Sequence, residues 1–430
     1  TGSCNGRFSK YLHGGPRHYV EGKGRHKRSL DYFHCAISSI LGLAQLFGLL
    51  PLTGIRSPTP VKLQFIKFSF LTAYAASITT MLLVMAILAV IHMIRTLNAQ
   101  AFEVQGGIGA ATAGAIFYGN SLLGVIIFFW LSPRWPTLQR DWRAMEQFID
   151  SNKSESPRLR WKFFVITGIV LTLAVVEHIL SILNNTEGFE KWITTDNSTV
   201  GSYLQFYCVK SHAFILQTLE YNFALGIYIF IVSKLATFTW NFTDVFIMLV
   251  STGLAERYKF LNKKVMFTVT KQRLQIDWRE LREDYACLSS MVKKVDNDIS
   301  PLILLSFANN LYFICLQLLN GLSPSDGTIL NLIYFFGSFG FLIGRTCAVT
   351  LFAARINDQS KVALPYLYTC STERLQHQLT TDDICLTGLR FFSITRNFML
   401  AVAGAIVTYE VVLLQFNMDP DPLVVKQPYI

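Results

Sequence analysis

The chain is short of charge. Only 15% of its 430 residues are Asp, Glu, Lys or Arg, against 51% hydrophobic residues and 34 Phe, which is too apolar for a water-soluble globule. Internal repeats and low-complexity linkers are lacking, so nothing divides the chain into separate domains or a solenoid. Cysteine supplies no framework: of eight, only Cys208 falls in a segment assigned below to the outside, and no structural disulfide is expected. The first 29 residues hold no apolar core of the kind a cleavable leader needs. The absence of HExxH, a nucleophile elbow or paired carboxylates at one depth argues against an enzyme. No metal or other cofactor is expected, since His178 beside Glu177 lacks ligand spacing. The net charge of +10 sits in blocks between apolar stretches rather than on an extended basic face with interleaved aromatics, which excludes nucleic acid as a partner.

What the sequence does have is long apolar runs. Crossing ~30 Å of hydrocarbon at about 1.5 Å per residue, candidates lie near 30–52, 66–94, 106–131, 163–183, 218–238, 300–321, 330–354 and 394–417. Arg134, Arg140, Arg143, Lys153, Arg158, Arg160 and Lys162 place the loop 132–162 in the cytoplasm. The extracellular loop 184–217 carries glycosylation sequons at Asn184 and Asn197, which agrees. Counting back, the segment 53–66 is cytoplasmic, and so is the tail 1–29 with Lys23, Arg25, Lys27 and Arg28. Residues 30–52 therefore cannot cross and read as an inner-leaflet helix. Of the 38 Lys and Arg, all but Arg95, Lys191, Lys210, Arg345 and Lys426 fall in segments inferred as cytoplasmic, Lys234 among them.

The expected fold is thus an all-α membrane protein with seven transmembrane helices, N-terminus cytoplasmic and C-terminus extracellular. Transmembrane helices 1–4 lie within 53–238, a cytoplasmic helical anchor region spans 239–299, helices 5–6 occupy 300–354, and a cytoplasmic helical loop covers 355–393. Helix 7 runs over 394–417, before an extracellular tail at 418–430. The anchor region, the loop and the inner-leaflet helix would form one cytoplasmic helical layer, because apolar residues recur there at helical spacing with charges between.

The seventh crossing ends in Thr408-Tyr409-Glu410-Val411-Val412-Leu413-Leu414-Gln415-Phe416. This resembles the C-terminal signature of the insect gustatory receptor family: Thr-Tyr, five mostly apolar residues, then Gln-Phe. LFGLLPLTGIR (46–56), SPRWPTLQRDW (132–142), EHILS (177–181), FTWNFTDVFIMLVSTGLAERY (238–258), LLSFANNLYFICLQLLN (304–320) and ARINDQS (354–360) are similar to its sugar-receptor branch. The resemblance covers most of the chain after about residue 30 and implies a tetrameric, sugar-gated, non-selective cation channel, as a homotetramer or a heteromer with related subunits. It would sit in the plasma membrane of chemosensory neurons, with the seventh helix of each subunit lining a central pore. Thr408, Val411 or Val412, and Gln415 recur at i, i+3/i+4, i+7, one stripe of hydroxyl, apolar groups and carboxamide that suits a dewetting gate, with Phe416 closing the signature. The competing reading of Thr408 and Gln415 is that they bridge helices. Glu410 points off this stripe, buried against another crossing, with Arg345 as a candidate partner.

A mono- or disaccharide needs polar and aromatic groups in the outer halves of several crossings, where such groups are costly unless they face a cavity. Glu177 and His178, with Ser181 one turn on, occupy the third crossing, and Tyr221 and Tyr228 the fourth. Asn310, Phe313 and Gln317 form a stripe on the fifth, and Tyr334 opens the sixth. Singly, each suits an interhelical hydrogen bond or aromatic packing; together they point to an outward-facing pocket. A G-protein-coupled receptor would need the opposite orientation. A membrane sugar transporter would share the pocket, but no repeated halves support it.

Overall fold

The computed structural model describes residues 32–97, 107–150, 158–192, 200–270, 278–321, 328–367 and 373–417. The main helices are α1 (Phe33–Leu46), α2 (Phe70–Thr96), α3 (Gly107–Leu131), α4 (Trp135–Ile149), α5 (Leu159–Thr186), α6 (Val200–Ser211), α7 (Phe223–Thr270), α8 (Trp278–Gly321), α9 (Ile329–Lys361), α10 (Glu373–Thr381) and α11 (Arg396–Asn417), with a small antiparallel hairpin, β1 (Thr387–Gly388) and β2 (Phe392–Ser393), before the last. The expected tails 1–29 and 418–430, Asn197, and the side chains of Glu410, Gln415 and Phe416 lie outside what is described.

Among the described residues, six helices are long and apolar enough to cross a membrane, those that include α2, α3, α5, α7, α8 and α9. In the most apolar stretches of α2 and α5 only 28% of residues are buried. Leu83, Val84, Ile87 and Val90 on α2, and Ile169, Leu173, Val176 and Ile179 on α5, are uncovered, as lipid-facing helices require. α11 spans the stretch expected for the seventh crossing but is not among these six. Local sequence sets the ends. Ser69 accepts from the Thr72 N–H at the start of α2, and Thr328 from the Asn331 N–H at the start of α9, each satisfying an orphan donor. Gly48, at φ +76°, turns the chain out of α1; a Cβ there would lie 2.8 Å from Ile78.

No break divides crossing from anchor at 238/239 or at 299/300, because α7 and α8 run through both positions. At the end of the bundle that carries the basic segments, the two continue side by side and are tied by Lys264 to Glu280 and Asp284. Here α1 docks on α4 and α7. The Phe33 ring stacks on Trp142 at 3.8 Å, and both rings press on Gly253, where a Cβ would sit 2.6 Å from Phe33. Arg257 donates to Glu146 at 2.8 Å and to Asp150 at 2.9 Å, and Glu146 also accepts the Phe33 backbone N–H. Burial pushes the Glu146 carboxyl above the ordinary carboxylate range, opposed by the adjacent Arg257 guanidinium.

The segment 355–393, expected as a helical loop, carries α10 and ends in the β1–β2 hairpin. Leu389 and Arg390 take positive φ at its tip, and Asp296 of α8 accepts from both the N–H and the hydroxyl of Thr387. Carboxylate clamping and ring packing hold the turn where helical hydrogen bonds are absent. Phe392 stacks on Phe398 at 4.5 Å, and Phe307 of α8 meets both rings edge-on at 5.6 and 5.3 Å. Arg396 pairs with Asp358 at 2.8 Å. The first turns of α11 are therefore seated on α8 and α9.

Candidate functional site

At the opposite end of the bundle, polar side chains from α5, α8 and α9 converge. Ser338 donates to Glu177 Oε1 at 3.0 Å and accepts from Gln317 Nε2 at 3.0 Å. Tyr334 lies beside the Glu177 carboxylate and the Ser181 and Ser338 hydroxyls. Gln317 Oε1 in this group is buried with no partner, and so is His178 Nε2 at the next position of α5. A buried polar atom left unmatched costs about 1–3 kcal/mol, so a hydroxyl-bearing ligand that reached them would recover that cost.

Deeper in the bundle lies a second polar layer. Arg345 Nε is 2.8 Å from Asp244 Oδ2, with side chains 2% and 0% exposed. Arg345 also donates to Asn241 and, at 3.1 Å, to Asn310. Asn310 Nδ2 donates to Asp244 at 3.1 Å, and Asp244 also accepts from Ser306. The Trp240 N–H donates to Asn310 at 2.8 Å, and the guanidinium lies 4.4 Å from the Trp240 ring centroid. Among the described residues the carboxylate paired with Arg345 is Asp244, and its two terminal nitrogens donate to Asn241 and Asn310; the Glu410 side chain, its candidate partner from the sequence, lies outside the described residues.

The sequence-selected residues divide accordingly. Glu177, Gln317 and Tyr334 meet around Ser338, with His178 next to Glu177 on α5. Asn310 belongs to the charged layer and is 1% exposed. Phe313 packs on Trp240 at 4.8 Å, between the two layers in chain position. Tyr221 donates to the Gly201 carbonyl at 3.4 Å, joining the strand of chain before α7 to α6, and Tyr228 donates to Met81 on α2. Asn184 lies in the last turn of α5 with its Oδ1 buried. On α11, Thr408 is exposed and donates to the Gly404 carbonyl, while Val411 and Val412 are 47% and 41% exposed.

Sequence reasoning passed over Asp244, Trp240, Ser338 and Lys234. Lys234 does not reach a cytoplasmic boundary: its Nζ donates to the Tyr207 hydroxyl of α6 at 3.3 Å, at the end of the bundle where Glu177 lies. A carboxylate at the head of the run Val245-Phe246-Ile247-Met248-Leu249-Val250 was a signal for Asp244, since an isolated charge there demands a partner. Among the described residues no group of His, Cys, Asp and Glu could hold a metal.

Comparison with known proteins fits this architecture. A family model described as "Trehalose receptor" matches residues 20–422. The chain is 32% identical to the Drosophila melanogaster gustatory receptor for sugar taste 64a, with 90% of this chain and 85% of that protein covered. It is 31% identical to the gustatory receptor 5a for trehalose of the same organism, covering 90% and 86%. In fold it is similar to the insect olfactory receptor OR5 from Machilis hrabei, with a TM-score of 0.64 at 15% identity over 92% of this chain and 100% of that one. The OR5 complex with eugenol gives 0.61 at 14% identity. With its multi-pass helical bundle and a family match along almost the whole chain, this protein belongs to the insect gustatory receptors, in their sugar-receptor branch.

Proposed function

We propose that the chain is a subunit of a sugar-gated, non-selective cation channel, working as a tetramer in the plasma membrane of chemosensory cells. The carrying observation is the Glu177–Ser338–Gln317 cluster, in which three helices bring a carboxylate, a hydroxyl and a carboxamide together and leave Gln317 Oε1 unmatched. A carbohydrate is the ligand class that carries enough vicinal hydroxyls to match such a set. Glu177 accepts from sugar hydroxyls, Gln317 and His178 exchange hydrogen bonds with them, and Tyr334 and Phe313 offer apolar ring surface. The family supports a sugar, and the trehalose named for one relative supports a mono- or disaccharide. The uncovered face of α11, with Thr408, Val411 and Val412, supports a helix that meets its copies around an axis, with Gln415 and Phe416 at the pore end.

A charge-assisted hydrogen bond contributes about 1.5–3 kcal/mol. Glu177→Gln should therefore raise the half-activating sugar concentration by about 10-fold or more, at normal surface expression, because the Gln carbonyl still accepts from Ser338. Unchanged sensitivity would remove Glu177 from the site. Sugar-evoked current, measured beside labelled sugar uptake in the same cells, separates the channel from a transporter: uptake without conductance would overturn this reading.

Orientation is tested separately. A C-terminal epitope should be labelled on intact cells and an N-terminal one only after permeabilisation. The reverse pattern would overturn the seven-crossing map.

A further inference from the structure

Three buried or half-buried cations of this bundle face carboxylates: Arg257 faces Glu146 and Asp150, Arg345 faces Asp244, and Lys264 faces Glu280 and Asp284. Lys234 differs from these three. It is half-buried on α7, and among the described residues no carboxylate lies within ion-pair reach of it. Its immediate surroundings are one hydroxyl acceptor and two aromatic faces. The Tyr207 hydroxyl accepts one hydrogen bond at 3.3 Å, and the rings of Phe230 and Tyr207 lie 4.5 and 5.2 Å from the nitrogen. An ammonium has three donors, and aromatic faces add attraction but no acceptor lone pair.

The other polar groups facing Lys234 are His178, Cys208 and His212. None is an anion. His212 is engaged on both ring nitrogens, by the Tyr118 hydroxyl at 2.7 Å and the Ser211 hydroxyl at 2.6 Å. Burial pushes its imidazole down to about 3, with Lys234 adding to the effect, so it is neutral. His178, by contrast, has a buried Nε2 with no partner. An unneutralised ammonium beside an unpartnered imidazole and a phenol is a donor set for a negatively charged group. It adjoins the carbohydrate cluster, because His178 follows Glu177 on α5 and Tyr334 lies in electrostatic contact with both Glu177 and Tyr207.

We propose that Lys234, with His178 and Tyr207, forms an anion subsite of the sugar pocket that takes the carboxylate of an acidic carbohydrate such as a uronic acid. A single ammonium suits a singly charged carboxylate better than a phosphate dianion, which would call for a second cation. The inference rests on the sugar-pocket reading of Glu177 and Gln317. In that arrangement the acid end of the ligand lies against Lys234 and the hydroxyl-rich end against Glu177.

The test uses the purified full chain in detergent, titrated with glucuronate, with glucose and with acetate at constant ionic strength, and followed by thermal stabilisation. Wild type should bind glucuronate about 10-fold or more tightly than glucose, with acetate far weaker than either. Lys234→Met should remove that preference and leave the glucose affinity within about 3-fold, and Lys234→Arg should keep it. Should Lys234→Met fail to fold, the wild-type comparison and Lys234→Arg still decide. Glucose binding with no preference for glucuronate in wild type would overturn the anion subsite and leave the sugar pocket standing. An equal loss for both ligands in Lys234→Met would overturn it too. Failure of glucose and every neutral mono- and disaccharide to bind, with glucuronate also inert, would instead overturn the pocket reading itself.

Discussion

Arg345→Met should all but abolish the receptor at the cell surface. Arg345 and Asp244 are both buried, 2.8 Å apart, so removing the guanidinium strands a carboxylate in the middle of the bundle. Breaking a buried pair from one side costs about 3–5 kcal/mol, a large fraction of any domain's stability. Removing the charge on both sides is a different perturbation. Asp244→Asn keeps one acceptor oxygen, for Asn310, and the Ser306 hydroxyl can turn to accept from the new amide N–H, so the double variant Asp244→Asn/Arg345→Met should recover a substantial part of the surface protein. Surface biotinylation of the single and double variants measures this. A single Arg345→Met variant at wild-type surface level would show that Asp244 is already neutral or otherwise compensated.

The second large effect is expected at the other end of the molecule. Arg257 is fully buried and holds Glu146 and Asp150 together, and Glu146 in turn caps the Phe33 N–H. Arg257→Leu should lower stability by about 3–5 kcal/mol and free α1 from α4, which would show as earlier proteolysis around α1 and a lower melting temperature of the solubilised receptor. Glu146→Gln should be milder, because a carboxamide oxygen still accepts from Phe33 and Arg257. Equal effects of the two variants would mean that the charge on Glu146, rather than the hydrogen-bonding geometry, secures the docking of α1.

The contrast between these two sites explains what the sequence made legible. Helices are written in local patterns. The apolar runs, the helix near 30–52, and the stripe Asn310, Phe313, Gln317 on one face of α8 could all be read from residue spacing. So could Glu177 and Tyr334, which are costly in lipid and stand out for that reason. The pairing of charges between helices has no local signature. Asp244 fell just beyond the assigned end of the fourth crossing, in a stretch read as cytoplasmic because charges follow it, and Arg345 was left with Glu410 as its candidate. Lys234, at the inner end of that same crossing, was counted with the cytoplasmic charges, although it meets Tyr207 on α6. The hairpin at 387–393 escaped for another reason: strands of two residues are too short to show an alternating pattern.

The buried Asp244–Arg345 pair also imposes an order on biosynthesis. Asn241 and Arg345, which share this layer, are 104 residues apart in the chain. At about 5–20 residues per second, the ribosome needs roughly 5 to 20 seconds after completing the Asp244 turn of α7 before Arg345 of α9 exists. For that interval the translocon holds a helix whose carboxylate has no counter-ion, and Ser306 and Asn310 of α8 emerge first to offer it hydrogen bonds. The packing of α7 is therefore finished only when α9 arrives, and the bundle closes around its charge from the late end of the chain.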